Sequence, residues 1–305
     1  MLLRASRSFF MCIVATAAMA AGSGCAGGAA ADRGVVQIGS TKAGLFGLPP
    51  EYLALHPRLE AVFEHRVRFS AQPDGIALGQ QLEQGQISFA IMSCSEYAQV
   101  VDPTRLKLLA SAVNTAGKTS RKAFLVAKAD YNIKSIADCK GRRFAFGAHG
   151  DLLTDLAAQA ALEKGGVSVK DLLSELVLLT PPPFAFEGRL YRGKGVATTI
   201  LADITVNAGV IDEIDYAAMP DAGGNFITGP SKDLFVKLGE TRTIPERVVV
   251  AGPNVDQDAT AKLTDFLVNK VKDDPNICRQ LGVAGFAPAD RAAYDHVRQW
   301  LSGLK

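Results

Sequence analysis

The sequence predicts an α/β fold in two lobes, each a mostly parallel sheet flanked by helices, with two crossover segments joining them. Three observations predict it. Short apolar runs alternate with helical stretches, the rhythm of parallel sheets covered by helices. That rhythm occurs twice along the chain. A late apolar run, Val248-Val249-Val250, stands beyond the second set and reads as a return to the first. One lobe is therefore expected at residues 34–125 with 245–305, and the other at 126–244.

The first set opens with a strand at Val35 to Ile38, stopped by Gly39. Residues 49–64 follow as a helix opened by Pro49-Pro50. Arg66 to Phe69 alternates apolar and polar, as a half-buried strand does. Pro73 to Gln84 reads as a helix with proline at its start and Gly85 as its stop. Ile87 to Met92, Leu106 to Ala112 and Ala123 to Ala127 are apolar strands. In the second set, Arg143 to Phe146 is a strand and residues 151–164 a helix ended by Gly165-Gly166. Leu176 to Leu179 is a strand, and Pro181-Pro182-Pro183 forces a turn. Val196 to Ala202 suits a helix and Ile204 to Ile211 a strand. After the return strand, Ala259 to Lys272 and Ala292 to Leu301 are amphipathic helices. The crossovers are expected near residues 112–126 and 240–248.

The N-terminus reads as a secretory leader over residues 1–25. Arg4 and Arg7 precede an apolar run, Phe9 to Ala21, that is too short for a span of roughly 20 residues. Two cleavage readings stand. Ala18-Met19-Ala20 suits ordinary signal peptidase. Gly22-Ser23-Gly24-Cys25 resembles a lipobox, with Cys25 as the lipid-bearing membrane anchor, although Gly22 stands where leucine is usual. Residues 26–33 are small and flexible, as a tether should be. Removing the leader leaves about 280 residues, near the size at which one core splits into two. The chain of 305 residues carries 33 basic and 31 acidic side chains, so nothing demands nucleic acid or a broadly anionic surface. Beyond Cys12 and Cys25 stand Cys94, Cys139 and Cys278, enough for one bridge at most.

Several stretches resemble the periplasmic substrate-binding proteins of phosphonate/phosphate-type ABC transporters, within the type 2 periplasmic-binding fold. The most specific is Ile133-Lys134-Ser135-Ile136-Ala137-Asp138-Cys139-Lys140-Gly141-Arg142-Arg143-Phe144-Ala145-Phe146-Gly147, which is similar to the family's signature before its oxyanion-binding helix. Leu82 to Ala90, Asn207 to Asp212, and Ile244-Pro245 with Val248 to Val250 resemble other family segments. The resemblance covers roughly residues 34 to 290. It implies a small polar, anionic, phosphonate- or phosphate-like ligand held between the lobes, an ABC permease as partner, and no cofactor. A periplasmic or cell-surface monomer without catalytic residues is expected.

The sequence departs from the family at the site itself. The family carries a Ser-Thr-Ser cluster where this chain has Ala148-His149-Gly150-Asp151, with Thr154 the nearest hydroxyl. Losing two hydroxyl donors to a charged group costs about 3–6 kcal/mol, against about 8 kcal/mol for micromolar binding. Asp151 either repels an oxyanion or caps the helix. Ligands in open α/β sheets bind beyond the carboxyl ends of strands. Thr41 and Lys42 stand beyond the first strand, and Ser93, Ser95 and Tyr97 beyond the third. Tyr97 falls near the aromatic of the family's cleft loop. His149, Gly150, Asp151 and Thr154 follow the strand at 143–146, and Asp212 ends the strand before residue 213. Each is a candidate ligand contact, and each has a plainer reading as a turn, cap or solvated residue.

Other chemistry finds little support. Gly188 to Lys194 fits GxxxxGK, but Gly195 stands where a P-loop needs Ser or Thr. His56, His65, His149 and His296 show no paired zinc spacing. Cys94 with His149 is conceivable as a thiol–imidazole pair. A sensory or repurposed binding module, or an enzyme on the same fold, is the alternative.

Overall fold

The computed structural model describes residues 34–42, 49–177, 194–225 and 229–303. The leader, Cys25, the tether, the three prolines at 181–183 and residues 188–193 of the GxxxxGK motif lie outside the described residues. The chain begins with β1 (Val35–Ser40), α1 (Leu55–Phe63), β2 (Arg66–Ala71), α2 (Gly75–Glu83), β3 (Phe89–Met92), α3 (Cys94–Gln99) and β4 (Lys107–Val113). It continues through β5 (Ser120–Arg121), β6 (Ala123–Lys128), β7 (Arg143–Phe146), α4 (Ala157–Lys164), β8 (Ser174–Val177), α5 (Lys194–Ala202), β9 (Val206–Asp212), α6 (Glu213–Ala217) and β10 (Phe235–Glu240). It closes with β11 (Ile244–Pro245), β12 (Val248–Ala251), α7 (Gln257–Asp265), α8 (Pro275–Leu281), β13 (Gly285–Pro288) and α9 (Arg291–Ser302).

Two main sheets result, ordered β13-β4-β12-β3-β1-β2 and β10-β6-β9-β7-β8. They are the two α/β lobes expected from the sequence. Each holds a parallel trio: β2-β1-β3 in one, β8-β7-β9 in the other. Against each trio lies an antiparallel strand, β12 against β3 and β6 against β9. The chain passes between the sheets twice, before β6 and before β12. Each crossover therefore leads into the antiparallel strand of the lobe it enters. The crossovers also pair with each other, Ile244 with Arg121 and Pro245 with Ser120. Ala123, Phe124 and Leu125, expected to end the first lobe, already pair in the second sheet. The apolar run that marks β6 starts at Ala123, and the crossover finishes just before it.

The elements follow their local chemistry. Asp74 caps α2, its carboxylate accepting from Ala77 N at 2.8 Å, while Pro73 stands outside the helix. The stretch expected as one helix at 49–64 splits into a 3₁₀ turn, Pro50–Tyr52, and α1. All four residues of β3 and all seven of β9 are buried, as central strands covered on both faces must be. The sequence pattern missed α3, α6, α8, β10 and β13. The helices among these and β13 are short, and β10 is exposed at Val236 and Lys237. No helix among the described residues is long and apolar enough to cross a membrane.

Apolar packing runs through the crossover region. One buried cluster joins Leu78, Ala90 and Met92 to Val248 and Ile244, then to Leu125, Phe144 and Phe146. Tyr52, Phe69, Phe89 and Leu263 fill the other face of the first sheet, and Val126, Ala145 and Ile200 that of the second. At Gly209, within β9, an added Cβ would lie 2.7 Å from the Ala145 carbonyl oxygen and 2.7 Å from Ile200 Cδ1. The carbonyl belongs to the neighbouring strand and cannot swing away. We expect Gly209→Ala to destabilise the fold by about 1–3 kcal/mol, as overpacking does. A denaturant midpoint equal to that of the parent would contradict this packing.

Candidate functional site

The register brings the strand ends to the crossovers. Val248, the first residue of β12, pairs with Met92, the last of β3. Ala123, the first of β6, pairs with Asp212, the last of β9. Residues just past β3 and β9 therefore meet the chain as it changes lobes. This is where open α/β sheets bind ligands.

On the first lobe the strand ends carry hydroxyls and one carboxylate. Ser93 caps α3 in a reciprocal box: its Oγ accepts from Glu96 N at 3.2 Å, and Ser93 N donates to Glu96 Oε2 at 2.5 Å. Ser93 and Ser95 share a hydroxyl–hydroxyl bond of 3.0 Å. The Thr41 hydroxyl donates to Glu96 Oε1, and Lys42 pairs with Glu51. Tyr52 lies beside them. Burial pushes its phenol up, opposed by a hydrogen bond with Ser40 and by Arg247.

On the second lobe, β7 runs through Gly147 into a π-helical turn, Leu152–Leu156, that continues as α4. Gly147 is required there, because a Cβ would fall 1.8 Å from Thr154 Oγ1. Asp151 caps this helix. Its Oδ1 accepts from Leu153 N at 3.0 Å, Thr154 N at 2.7 Å and Thr154 Oγ1 at 2.8 Å. Asp155, whose side chain is 1% exposed, accepts from Gly150 N at 2.6 Å and from Gln159 Nε2 at 2.5 Å. Gly150 has φ 78°, the left-handed turn that glycine tolerates. His149 is 81% exposed, with Nδ1 3.4 Å from Asp155.

Between the lobes, Arg121 of the first crossover bonds Asp212 at 2.9 Å and lies 3.5 Å from Glu246 of the second. Asn114 Nδ2 donates to Glu246 Oε1 at 3.1 Å. Burial alone would lower the Arg121 guanidinium, yet Asp212, Glu246, Asp151 and Asp215 together hold it above its ordinary value. Asp212 also caps α6, accepting from Ile214 N at 2.9 Å. Burial holds its carboxyl above the usual range, with Arg121 opposing. Asp151 of the second lobe acts electrostatically on Arg121, and Arg247, the neighbour of Glu246, acts on Tyr52 of the first lobe.

The structure therefore separates the candidates. Thr41, Ser93 and Ser95 form one hydroxyl cluster with Glu96. His149, Gly150, Asp151 and Thr154 form another with Asp155. Tyr97 belongs to neither. It is fully buried, edge-on to Tyr294, with its hydroxyl donating to Asp295 at 3.3 Å and accepting from Arg291 at 3.1 Å. Tyr97 turns inward because Ser93 starts a helix, not a loop, and its position on α3 faces α9. Asp212 is neither solvated nor unpaired, since Arg121 and the start of α6 hold it. Sequence reading missed Glu96, Asp155, Arg121 and Glu246. The Ser93-x-x-Glu96 spacing is a capping-box signal and would have found Glu96. Nothing in the local sequence marks Arg121 or Glu246, which meet only in three dimensions.

Cys94, Cys139 and Cys278 are unbridged. Burial pushes the Cys94 thiol up to about 12 and Cys139 up to about 11, so neither supplies a thiolate. No cluster of metal-ligating side chains occurs among the described residues.

A family model described as "ABC transporter, phosphonate, periplasmic substrate-binding protein" matches residues 49–294. The chain belongs to this phosphonate-binding family. It is an extracytoplasmic solute-binding protein of an ABC transport system, a binder and not an enzyme. Solved structures of the same fold include XAC2383 from Xanthomonas citri bound to ATP, with TM-score 0.62 and 15% identity over 89% of this chain and 98% of that one. PhnD1 from Prochlorococcus marinus in complex with methylphosphonate has TM-score 0.61 and 13% identity over 90% and 99%. A phosphonate-transporter binding component from Pseudomonas aeruginosa has TM-score 0.55 and 18% identity over 87% and 84%.

In this phosphonate-family protein, Arg121 is the cation that balances the inter-lobe carboxylates. Arg121→Met leaves Asp212 and Glu246 in place without it. The Arg121 side chain is 41% exposed, so solvent screens part of the loss. We expect about 1–3 kcal/mol of destabilisation near neutral pH, below the full cost of breaking a buried pair. Asp212 titrates above its ordinary 3.8 when folded, and higher still without Arg121. The folded state then binds a proton that the unfolded state releases, so the variant's deficit shrinks as pH falls toward the ordinary aspartate value. Urea melts at pH 8 and pH 5 measure this. A deficit of equal size at both would remove Asp212 from the account.

Proposed function

We propose that this protein captures a small polar, anionic, phosphonate- or phosphate-like solute between its lobes and presents the closed form to an ABC permease. The observation that supports this reading is that β3 and β9 end beside the paired crossovers, where Ile244 and Pro245 pair with Arg121 and Ser120. Hinges of this kind absorb lobe closure in a few residues. An oxyanion bound at the first lobe would take donors that Thr41 now gives to Glu96 and Lys42 to Glu51, with the paired hydroxyls of Ser93 and Ser95 beside them, and exposed His149 supplies a donor from the second lobe. Relatives of this fold that hold methylphosphonate and ATP support a ligand bearing phosphorus oxyanions. The leader at residues 1–25, lipid attachment at Cys25, the tether and a monomeric state complete the proposal.

The test is a binding screen on the full chain with phosphate, phosphite, alkylphosphonates, aminoethylphosphonate, sulfate, carboxylates and polyamines. A ligand at a hundred times its dissociation constant adds about 2.7 kcal/mol, a clear thermal shift. The expected hit carries an oxyanion and reduces the radius of gyration in solution scattering. The chain's one tryptophan, Trp300, stacks 4.2 Å from Arg242 of the second crossover, so its fluorescence reports the same event. A tight hit confined to another ligand class would overturn the ligand assignment. An unchanged radius with bound ligand would overturn closure.

A further inference from the structure

We infer that His296 and Trp300 of α9 form an acid-sensitive latch on Arg242, tying the second crossover to the first lobe. Its bearing on ligand capture rests on the lobe-closure reading above. Arg242 stands where the chain leaves the second sheet. Just before it, Thr241 is still bound to β6: Thr241 N donates to the Ala123 carbonyl and Thr241 Oγ1 accepts from Ala123 N, both at 2.9 Å. Just beyond it, Ile244 pairs with Arg121 of the first crossover. α9 belongs to the first lobe, packed on α3 and bonded through Tyr294 to Ser111 of β4. His296 and Trp300 stand at i and i+4, so they share one face of that helix. The Arg242 guanidinium lies 4.2 Å from the centre of the Trp300 ring, and its NH2 nitrogen lies 2.8 Å from His296 Nε2.

A guanidinium only donates. His296 Nε2 must therefore accept, which requires a neutral ring with its proton on Nδ1. A second proton turns that acceptor into a donor and sets two cations against each other. Burial lowers the Arg242 guanidinium from its ordinary value, and no carboxylate among the described residues pairs with it or with His296. The charged groups around α9 are committed elsewhere. Asp295 accepts from Tyr97, Arg298 donates to the Val100 and Val101 carbonyls, and Arg291 to those of Pro103 and Leu106. Asp290 caps α9. On the crossover, Glu240 pairs with Lys122 and Glu246 with Arg121. On α3, Glu96 bonds Ser93 and Thr41. Burial pushes Cys94, Tyr97 and Tyr294 up, so all three stay neutral. Histidine changes charge between about pH 5 and 8, so the latch is made at the upper end of that range and lost at the lower.

The experiment uses Trp300, the chain's one tryptophan, in the ligand-free full chain. Acrylamide quenching reads how far Arg242 covers the ring. It is measured at pH 8 and pH 5 on the parent, His296→Gln and Arg242→Met, with solution scattering on the same samples. His296 is exposed, so glutamine there disturbs no core packing. The glutamine carbonyl accepts from Arg242 at either pH, whereas methionine at 242 donates nothing and carries no charge for the ring. We expect quenching in the parent to rise at pH 5 and His296→Gln to lose that rise. Arg242→Met should be quenched at both pH values as strongly as the parent is at pH 5. The parent's radius of gyration should change between the two pH values, and that of His296→Gln should not. An equal rise in quenching for parent and His296→Gln overturns the latch. A rise confined to the parent, with the same radius at both pH values, overturns its hold on the lobes. The ligand screen, run at pH 8 with the latch made, tests capture by itself. A parent that closes on a solute but shows no pH step in quenching loses the latch and keeps the capture reading. A parent that shows the step but closes on no member of the screen does the reverse.

Discussion

The antiparallel placement of β6 and β12 is the constraint on which the site depends. Each enters its sheet beside the last strand of a parallel trio, running the opposite way. An antiparallel neighbour begins where its partner ends. The chain must therefore change lobes at the carboxyl ends of β3 and β9, the ends where open α/β sheets bind ligands. The crossovers and the candidate site share one place for that reason. Tyr294 reinforces it from α9, donating to the Glu246 carbonyl at 2.8 Å and sharing a 2.7 Å bond with Ser111 of β4.

The electrostatics of the junction follow from the same crowding. Strand ends deliver carboxylates as helix caps: Asp151 before the 152–164 helix and Asp212 before α6. Caps are stabilising locally, and they bring negative charge to a half-buried place. Arg121 compensates from the crossover, and its five-donor fork reaches both Asp212 and Glu246. The guanidinium thereby links one residue of the second lobe to both connecting segments. Polar groups here are held mainly by the protein's own partners, which preorganises the walls of the cleft.

The fold was largely legible because its signals are local and periodic. β3, β7 and β12 announce themselves as buried apolar runs, and the glycine stops at Gly39, Gly85 and Gly165 mark the ends nearby. The split at Leu53-Ala54 between the 3₁₀ turn and α1 was not legible, since apolar residues continue across it. The candidate residues were legible as strand-end positions, but the way their side chains point was not. Tyr97 sits a helical turn from Ser93, and only the capping box with Glu96 shows that a helix intervenes and turns the ring inward. Asp212 pairs with a residue 91 positions away, which no spacing rule reaches. Asp151 offered two readings from sequence, and the three bonds to Oδ1 decide for the cap.

The interleaved strand order also imposes a timetable on biogenesis. The second lobe is continuous, its strands lying between Ala123 and Glu240, so it can complete as soon as that stretch emerges. The first lobe cannot. Among the described residues β4 pairs only with β12 and β13, and β12 also fills the gap beside β3. Until Val248 and its neighbours arrive, Leu108 to Ala112 has no strand partner and β3 keeps one edge open. A nascent chain thus carries bare, apolar β edges while its middle stretch can already fold, the kind of surface that aggregates unless it is shielded.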